Sequence, residues 1–135
     1  MPAQTLPEDT TDAEAVPSDV RAQFRLRIKV GEEIAIGPGK IAILEAIEQT
    51  GSISAAGRKL GMSYRRAWLL VDQMNHYFKE PVVSAAMGGA QGGGTALTVT
   101  GVEVIRLYRT IERQAEAQSA SLIEELAGKL RTDHI

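Results

Sequence analysis

Cysteine is missing from this 135-residue chain, and histidine occurs only at His76 and His134. Without thiols there is no disulfide, thiolate zinc site or iron–sulfur cluster, and two lone histidines are a poor start for any other metal site. No apolar run approaches the roughly 20 residues that span a bilayer. The N-terminus MPAQTLPEDTTDAEAVPSD lacks the basic start and apolar centre of a secretory signal. Catalytic groupings are absent as well. The serines have no histidine and acid at a suggestive spacing, His76 sits between Asn75 and Tyr77, and the carboxylates are scattered. These absences predict a cytoplasmic protein without metal or cofactor, and not an enzyme.

What is present is ordinary in bulk and uneven in detail. Apolar residues make up 44% and charged residues 24%, usual for a globular domain. The net charge of −2 and pI near 5.7 argue, as averages, against a nucleic-acid partner. The average hides a segregation. In residues 1 to 23, Glu8, Asp9, Asp12, Glu14 and Asp19 stand against Arg21, a balance of −4. In residues 51 to 79, Arg58, Lys59, Arg65, Arg66 and Lys79 stand against Asp72, a balance of +4.

Residues 1–20 are rich in Pro, Thr, Asp and Glu and poor in large apolar side chains, which predicts a disordered acidic tail. FRLRIKV, residues 24–30, alternates Phe24, Leu26, Ile28 and Val30 with basic residues, the period of a half-buried strand. Gly31-Glu32 offers a turn and EIAI, 33–36, a returning strand. After Gly37-Pro38-Gly39, a helix with Ile41, Leu44 and Ile47 on one face runs to Gly51. Ser52 can cap a second helix, ISAAGRKL, with Ile53, Ala56, Gly57 and Leu60 inward. Ser63 can cap a third, Tyr64 to Phe78, burying Ala67, Leu70, Val71 and Met74, before Pro81 closes it. VVSAAM (82–87) and TALTV (95–99) read as strands around GGAQGGG. Thr100 can cap a last, long helix.

Residues 53–70 meet the demands of a helix–turn–helix. Ala56 and Gly57 are small where two helices must cross, Gly61 suits the turn, and Ala67 and Leu70 hold the second helix against the first. That packing leaves Tyr64, Arg65, Arg66 and Trp68 near the outer start of the third helix, where a recognition helix enters the major groove. Arginine can fork onto guanine or clamp phosphate. Lys59 adds charge beside them, and Ser52, Ser54 and Ser63, with helix N-terminal amides, can fix phosphates. The bland readings stand beside these. Basic residues on a helix are usually a solvated face, and Trp68 is as suited to a core as to a groove.

GGAQGGG ends in no Lys-Ser/Thr and leads into a strand, so it is no phosphate loop. It suits the tip of a hairpin, with Gly88, Gly89, Gln91, Gly92, Gly93 and Gly94 forming a wing that meets DNA through backbone amides. The last helix carries Val104, Tyr108, Ile111, Ala115, Ser119, Leu122 and Leu126 at three- and four-residue spacing. So long a stripe suits a dimer seam, or a helix packed across its own domain. The expected fold is therefore α+β and mainly α: a winged helix–turn–helix with a short N-terminal strand pair, a two-stranded wing and a long C-terminal helix. The expected organisation is the tail (1–20), the DNA-binding domain (21–100) and the dimerisation helix (101–130).

The strand pair, GPGKIAILEAIEQTGSISAAGRKLGMSYRRAWLLVDQMN, the wing GGAQGGGTALT and the long helix resemble the N-terminal domain of ModE-type molybdate-responsive transcription regulators. The likeness covers about residues 22–125. GSISAAGRKLG alone is also similar to LysR-type regulators. The resemblance implies a homodimer on a palindromic DNA operator, with contacts at Ser63, Tyr64, Arg65, Arg66 and Trp68, and control of molybdenum or related metal genes. It does not extend to the family's C-terminal oxyanion-binding modules, so molybdate binding by this chain is not expected. A winged-helix module that pairs with another regulator without touching DNA is the alternative. An oxyanion-binding protein built on glycine amides is a third and weaker one.

Overall fold

The computed structural model describes residues 20–89 and 92–132, so the expected tail lies almost wholly outside the described residues. Among those residues the chain is mainly helical, with two small antiparallel strand pairs. Strands β1 (Ile28–Val30) and β2 (Glu33–Ile36) precede helices α1 (Pro38–Thr50), α2 (Ile53–Lys59) and α3 (Tyr64–Tyr77). Strands β3 (Val83–Gly89) and β4 (Gly92–Leu97) then form a hairpin that feeds α4 (Val99–Ala127). The chain divides into two compact units. Arg25–Glu112 is one, and Met1–Phe24 with Arg113–Ile135 the other, so α4 contributes to both.

The larger unit is built on α1. Pro38 sets the first turn with its fixed φ, and Gly51 ends the helix in the left-handed region (φ 79°), its N–H bonded to Ile47 O at 2.8 Å. Ile41, Ile43, Leu44, Ala46 and Ile47 are all buried, so α1 is enclosed on most sides rather than along one stripe. Ser52 caps α2, its Oγ accepting from Ala55 N–H at 2.9 Å, and Ser63 caps α3 in the same way from Arg66 N–H at 3.1 Å. Between these helices Gly61 takes φ 71°, a conformation that only glycine adopts without strain. Ala67, Leu70, Val71 and Met74 of α3 enter the core, the four positions that the helical period picked out.

Several expectations need correction. The predicted strand 24–30 shrinks to Ile28–Val30, and Ile28 and Val30 are 45% and 55% exposed. The buried residues of this strand pair are instead Ala35 and Ile36, at the end of β2 that leads into α1. Of the four alternating residues, Leu26 packs against the core. Leu60 is exposed because α2 ends at Lys59 and Leu60 is its C-cap. Thr98, not Thr100, caps α4: its Oγ1 accepts from Gly101 N–H at 3.0 Å. The glycine run is less of a loop than expected, since β3 runs through Gly88 and Gly89 and β4 begins at Gly92. Those strands pair Gly89 with Gly92 after a register shift beyond Ala86. Gln91 lies outside the described residues.

In the smaller unit, Ile123, Leu126, Ala127 and Leu130 line a shallow groove with Val20 and Ala22. Of the four, only Ala127 is buried.

Candidate nucleic-acid interface

Helix α3 has two unlike sides. Its buried stripe fixes the helix rotationally, and that fixation leaves Tyr64 and Trp68, one turn apart, 57% and 44% exposed. Arg65, Arg66 and Leu69 are exposed with them. An open tryptophan beside two arginines is an unusual thing to leave in water. The helix is held close to α2 by small residues. A Cβ built on Gly57 would stand 3.1 Å from Met62 O and 3.3 Å from Ala67 Cβ, and Met62 N–H reaches Gly57 O at 2.9 Å.

The serines of the site are exposed or half-buried, and their oxygens already accept. Ser54 Oγ takes a bond from Arg58 Nη1 at 2.9 Å, while Ser52 and Ser63 serve as caps. Each hydroxyl keeps its own proton to donate, which is what a phosphate oxygen requires. Lys59 is turned onto Gln49 Oε1 of α1, so it supplies charge from a tethered position. His76 lies exposed at the far end of α3, edge-on to Tyr77, away from the helix start.

The β3–β4 hairpin is pinned at its base by contacts that the sequence did not announce. Thr95 N–H donates to Gly51 O at 2.9 Å, so the residue that ends α1 also receives the hairpin. A Cβ on Gly94 would sit 3.0 Å from that same oxygen, which makes Gly94 a close-approach residue and not a tip residue. Thr98 closes the other side through its N–H to Val82 O at 3.0 Å and its Oγ1 to Pro81 O at 2.6 Å. Asn75, at the end of α3, holds the backbone of Val82 and Val83.

Of the residues assigned to a dimer seam, two are committed elsewhere. Tyr108 is buried in the core, and its hydroxyl donates to Leu26 O at 2.7 Å; Val104 packs against the same cluster. Both had the spacing of the seam because a helix that docks on its own domain shares that period. Ala115 is half-buried, whereas Ile111, Leu122 and Leu126 are exposed. Arg109 grips Glu45 of α1 at 2.8 and 2.6 Å and Glu112 at 2.7 Å. The bond to Glu45 raises the guanidinium pKa, against desolvation that would lower it.

Sequence reasoning also passed over Lys40. It is 7% exposed, with Nζ donating to Ile34 O and lying 5.6 Å from the centre of the Tyr77 ring. Burial lowers its pKa below the usual lysine value, and the charge of Glu33 partly offsets that. Its position in the first turn of a capless helix gave no sign that it would be covered. Among the described residues no group of three or more potential metal ligands occurs, and no helix is long and apolar enough to cross a membrane.

No family model matches the chain. It is similar to several curated proteins over most of its own length. It is 44% identical over 98 residues to the molybdenum-pterin-binding protein MopB of Rhodobacter capsulatus, covering 73% of this chain and 35% of MopB. It is 37% identical over 106 residues to the molybdenum transport protein ModE of Azotobacter vinelandii, covering 77% of this chain and 39% of that protein. It is 35% identical over 89 residues to the DNA-binding transcriptional dual regulator ModE of Escherichia coli K12, covering 66% and 34% respectively. The matched region is thus little more than a third of each relative. Over that shared region the chain is a homologue of the ModE and MopB proteins.

Proposed function

We propose that this chain is a sequence-specific DNA-binding transcription regulator that acts as a dimer in molybdenum or related metal homeostasis. In this reading α2 and α3 form a helix–turn–helix, α3 is the recognition helix, and the β3–β4 hairpin is its wing. The observation that carries the reading is the exposed start of α3. Tyr64, Arg65, Arg66 and Trp68 are all open to solvent there, on a helix whose other side is locked into the core. Arginine forks and aromatic faces at a helix start are what major-groove readout uses. The basic balance of residues 51–79 and the hydroxyls of Ser52, Ser54 and Ser63 supply phosphate contacts around it.

The pairing of two chains rests on the outer part of α4, where Ile111, Leu122 and Leu126 remain uncovered. A homodimer would read a palindromic operator, which places the protein with the chromosome in the cytoplasm. The named relatives include a DNA-binding regulator, a molybdenum-pterin-binding protein and a molybdenum transport protein, in keeping with that role. Selection of genomic fragments by the purified protein, followed by sequencing, tests the whole reading. The expected result is an enriched site with two half-sites about 10 base pairs apart, or a multiple. Recovery of no duplex, together with a stable complex with another regulator, would replace it by a protein-interaction module.

A further inference from the structure

Beside the proposed DNA-reading surface lies a second basic feature. An open cavity of about 560 Å³ is bounded by the segment before β1, the β1–β2 turn, the first turn of α1 and one side of α3. Four cations line it, namely Arg25, Arg27, Lys40 and Arg66, against the carboxylates of Glu32 and Glu33. Glu32 is already paired with Lys29 at 3.8 Å. Among the described residues, none of the four cations makes a salt bridge. The wall therefore carries a positive excess, which Glu33 offsets only in part at Lys40.

Lys40 sharpens this. A lysine only 7% exposed loses part of its solvation, and one carbonyl, one ring face and the charge of Glu33 return some of it. An ammonium has three protons to donate, and Ile34 O accepts one. The backbone around it points the same way. Gly37 provides no side-chain cap, and Pro38 has no N–H, so the amides of Gly39 and Lys40 open α1 without a side-chain partner. A Cβ on Gly39 would meet nothing within 4 Å, which leaves room for a ligand to approach that backbone.

We propose that this cavity is a phosphate seat, taking a phosphate oxyanion between Arg27, Lys40, Arg66 and the start of α1. The phosphate is that of a duplex backbone or of a small free phosphate compound, since the recognising chemistry is the same. Arg66 also belongs to the proposed reading helix, so an occupied seat and a bound duplex share one guanidinium. The seat does not depend on the chain binding DNA.

The test titrates the full chain with inorganic phosphate, against chloride at matched ionic strength, and follows backbone amides by nuclear magnetic resonance. Saturating shifts centred on Gly39 and Lys40 are expected with phosphate alone. Arg27→Gln, an exposed position that leaves the core intact, should weaken the response about tenfold, the value of one lost hydrogen bond to a charged group. Lys40→Met keeps the buried stem and should do at least the same. In parallel, duplex binding is measured against salt. A drop of about one in the salt slope for Arg27→Gln assigns the seat to a backbone phosphate. An unchanged slope, with saturable free phosphate, assigns it to a small compound. Shifts that are uniform, do not saturate or match those in chloride, with no change in slope, overturn the proposal. A chain that binds no duplex fails the DNA reading, and the resonance titration still decides this one.

Discussion

The carboxamide of Asn75 clasps the backbone of Val83 in both directions. Its Nδ2 donates to Val83 O at 3.1 Å, while its Oδ1 accepts from Val83 N–H at 3.3 Å and from Val82 N–H at 2.8 Å. Val82 and Val83 are buried, so those amides have no water to fall back on. Asn75→Ala should therefore cost about 1–3 kcal/mol, the price of leaving buried groups unsatisfied. Urea unfolding would read this, and a loss of under a few tenths of a kcal/mol would show that the clasp is dispensable.

The start of α4 is tighter still. A Cβ on Gly101 would stand 2.2 Å from Val82 O and 3.4 Å from Leu97 Cβ. The obstructing atom is backbone, so it cannot swing aside as a side chain would. Helix propensity favours alanine by up to about 1 kcal/mol, but overpacking against a fixed carbonyl costs about 1–3 kcal/mol. Gly101→Ala should lower the stability and loosen the hairpin, with amide exchange rising across Val82 to Leu97. A variant as stable as the parent would mean that α4 shifts freely on the hairpin.

These two sites show what a sequence carries and what it withholds. The side of α3 that packs inward was legible because Ala67, Leu70, Val71 and Met74 repeat with the helical period, and the caps Ser52 and Ser63 stand just before helices. Local chemistry wrote those features. Asn75, Gly101 and the Arg109–Glu45 fork act across 7 to 64 residues of chain or through close backbone approach, and no periodicity encodes such partners. The stripe on α4 misled for a related reason. Val104 and Tyr108 share a spacing with Ile111, Leu122 and Leu126, but the first two meet their own domain and the last three stay exposed.

If α3 reads DNA, its arginines should be worth more to affinity than to stability. Arg65 and Arg66 are exposed, and neither forms a salt bridge among the described residues. Replacing both with alanine should leave the melting curve nearly unchanged. Affinity for the selected operator should fall by about 1–3 kcal/mol for any fork to a base that is lost. Anisotropy with labelled operator measures this, and unaltered affinity would exclude the start of α3 as the contact surface.

Arg109 and Glu45 lie 64 positions apart and tie α4 to α1 by two bonds. Their side chains are 37% and 30% exposed, so solvent screens part of the attraction. Arg109→Gln should cost about 1 kcal/mol, more than a typical surface pair because the fork is bidentate. Glu45→Gln should cost a similar amount, and the double variant less than the sum, which is the signature of a direct pair. Strict additivity in that cycle would show that the two residues contribute separately.

Tyr108 gives the protein a stability loss at alkaline pH that a single oxygen controls. Its hydroxyl donates to Leu26 O at 2.7 Å inside the core, and burial first, then the charge of Glu112, raises its pKa above 10.0. As pH climbs past the ordinary phenol value, the unfolded chain gives up this proton while the folded chain keeps it. The unfolded state then binds fewer protons, so stability falls with rising pH until the folded pKa is reached. Tyr108→Phe removes both the bond and that titration. At neutral pH it should be less stable by about 1 kcal/mol, the net value of one hydrogen bond. Above pH 10 the gap should narrow. The lowered pKa of Lys40 makes stability rise with pH in the window just below 10.5, but it does so equally in both proteins and cancels in the difference. Urea midpoints from pH 7 to 11 would check this, and a gap that stays constant or widens would mean that the Tyr108 proton is not held by the fold.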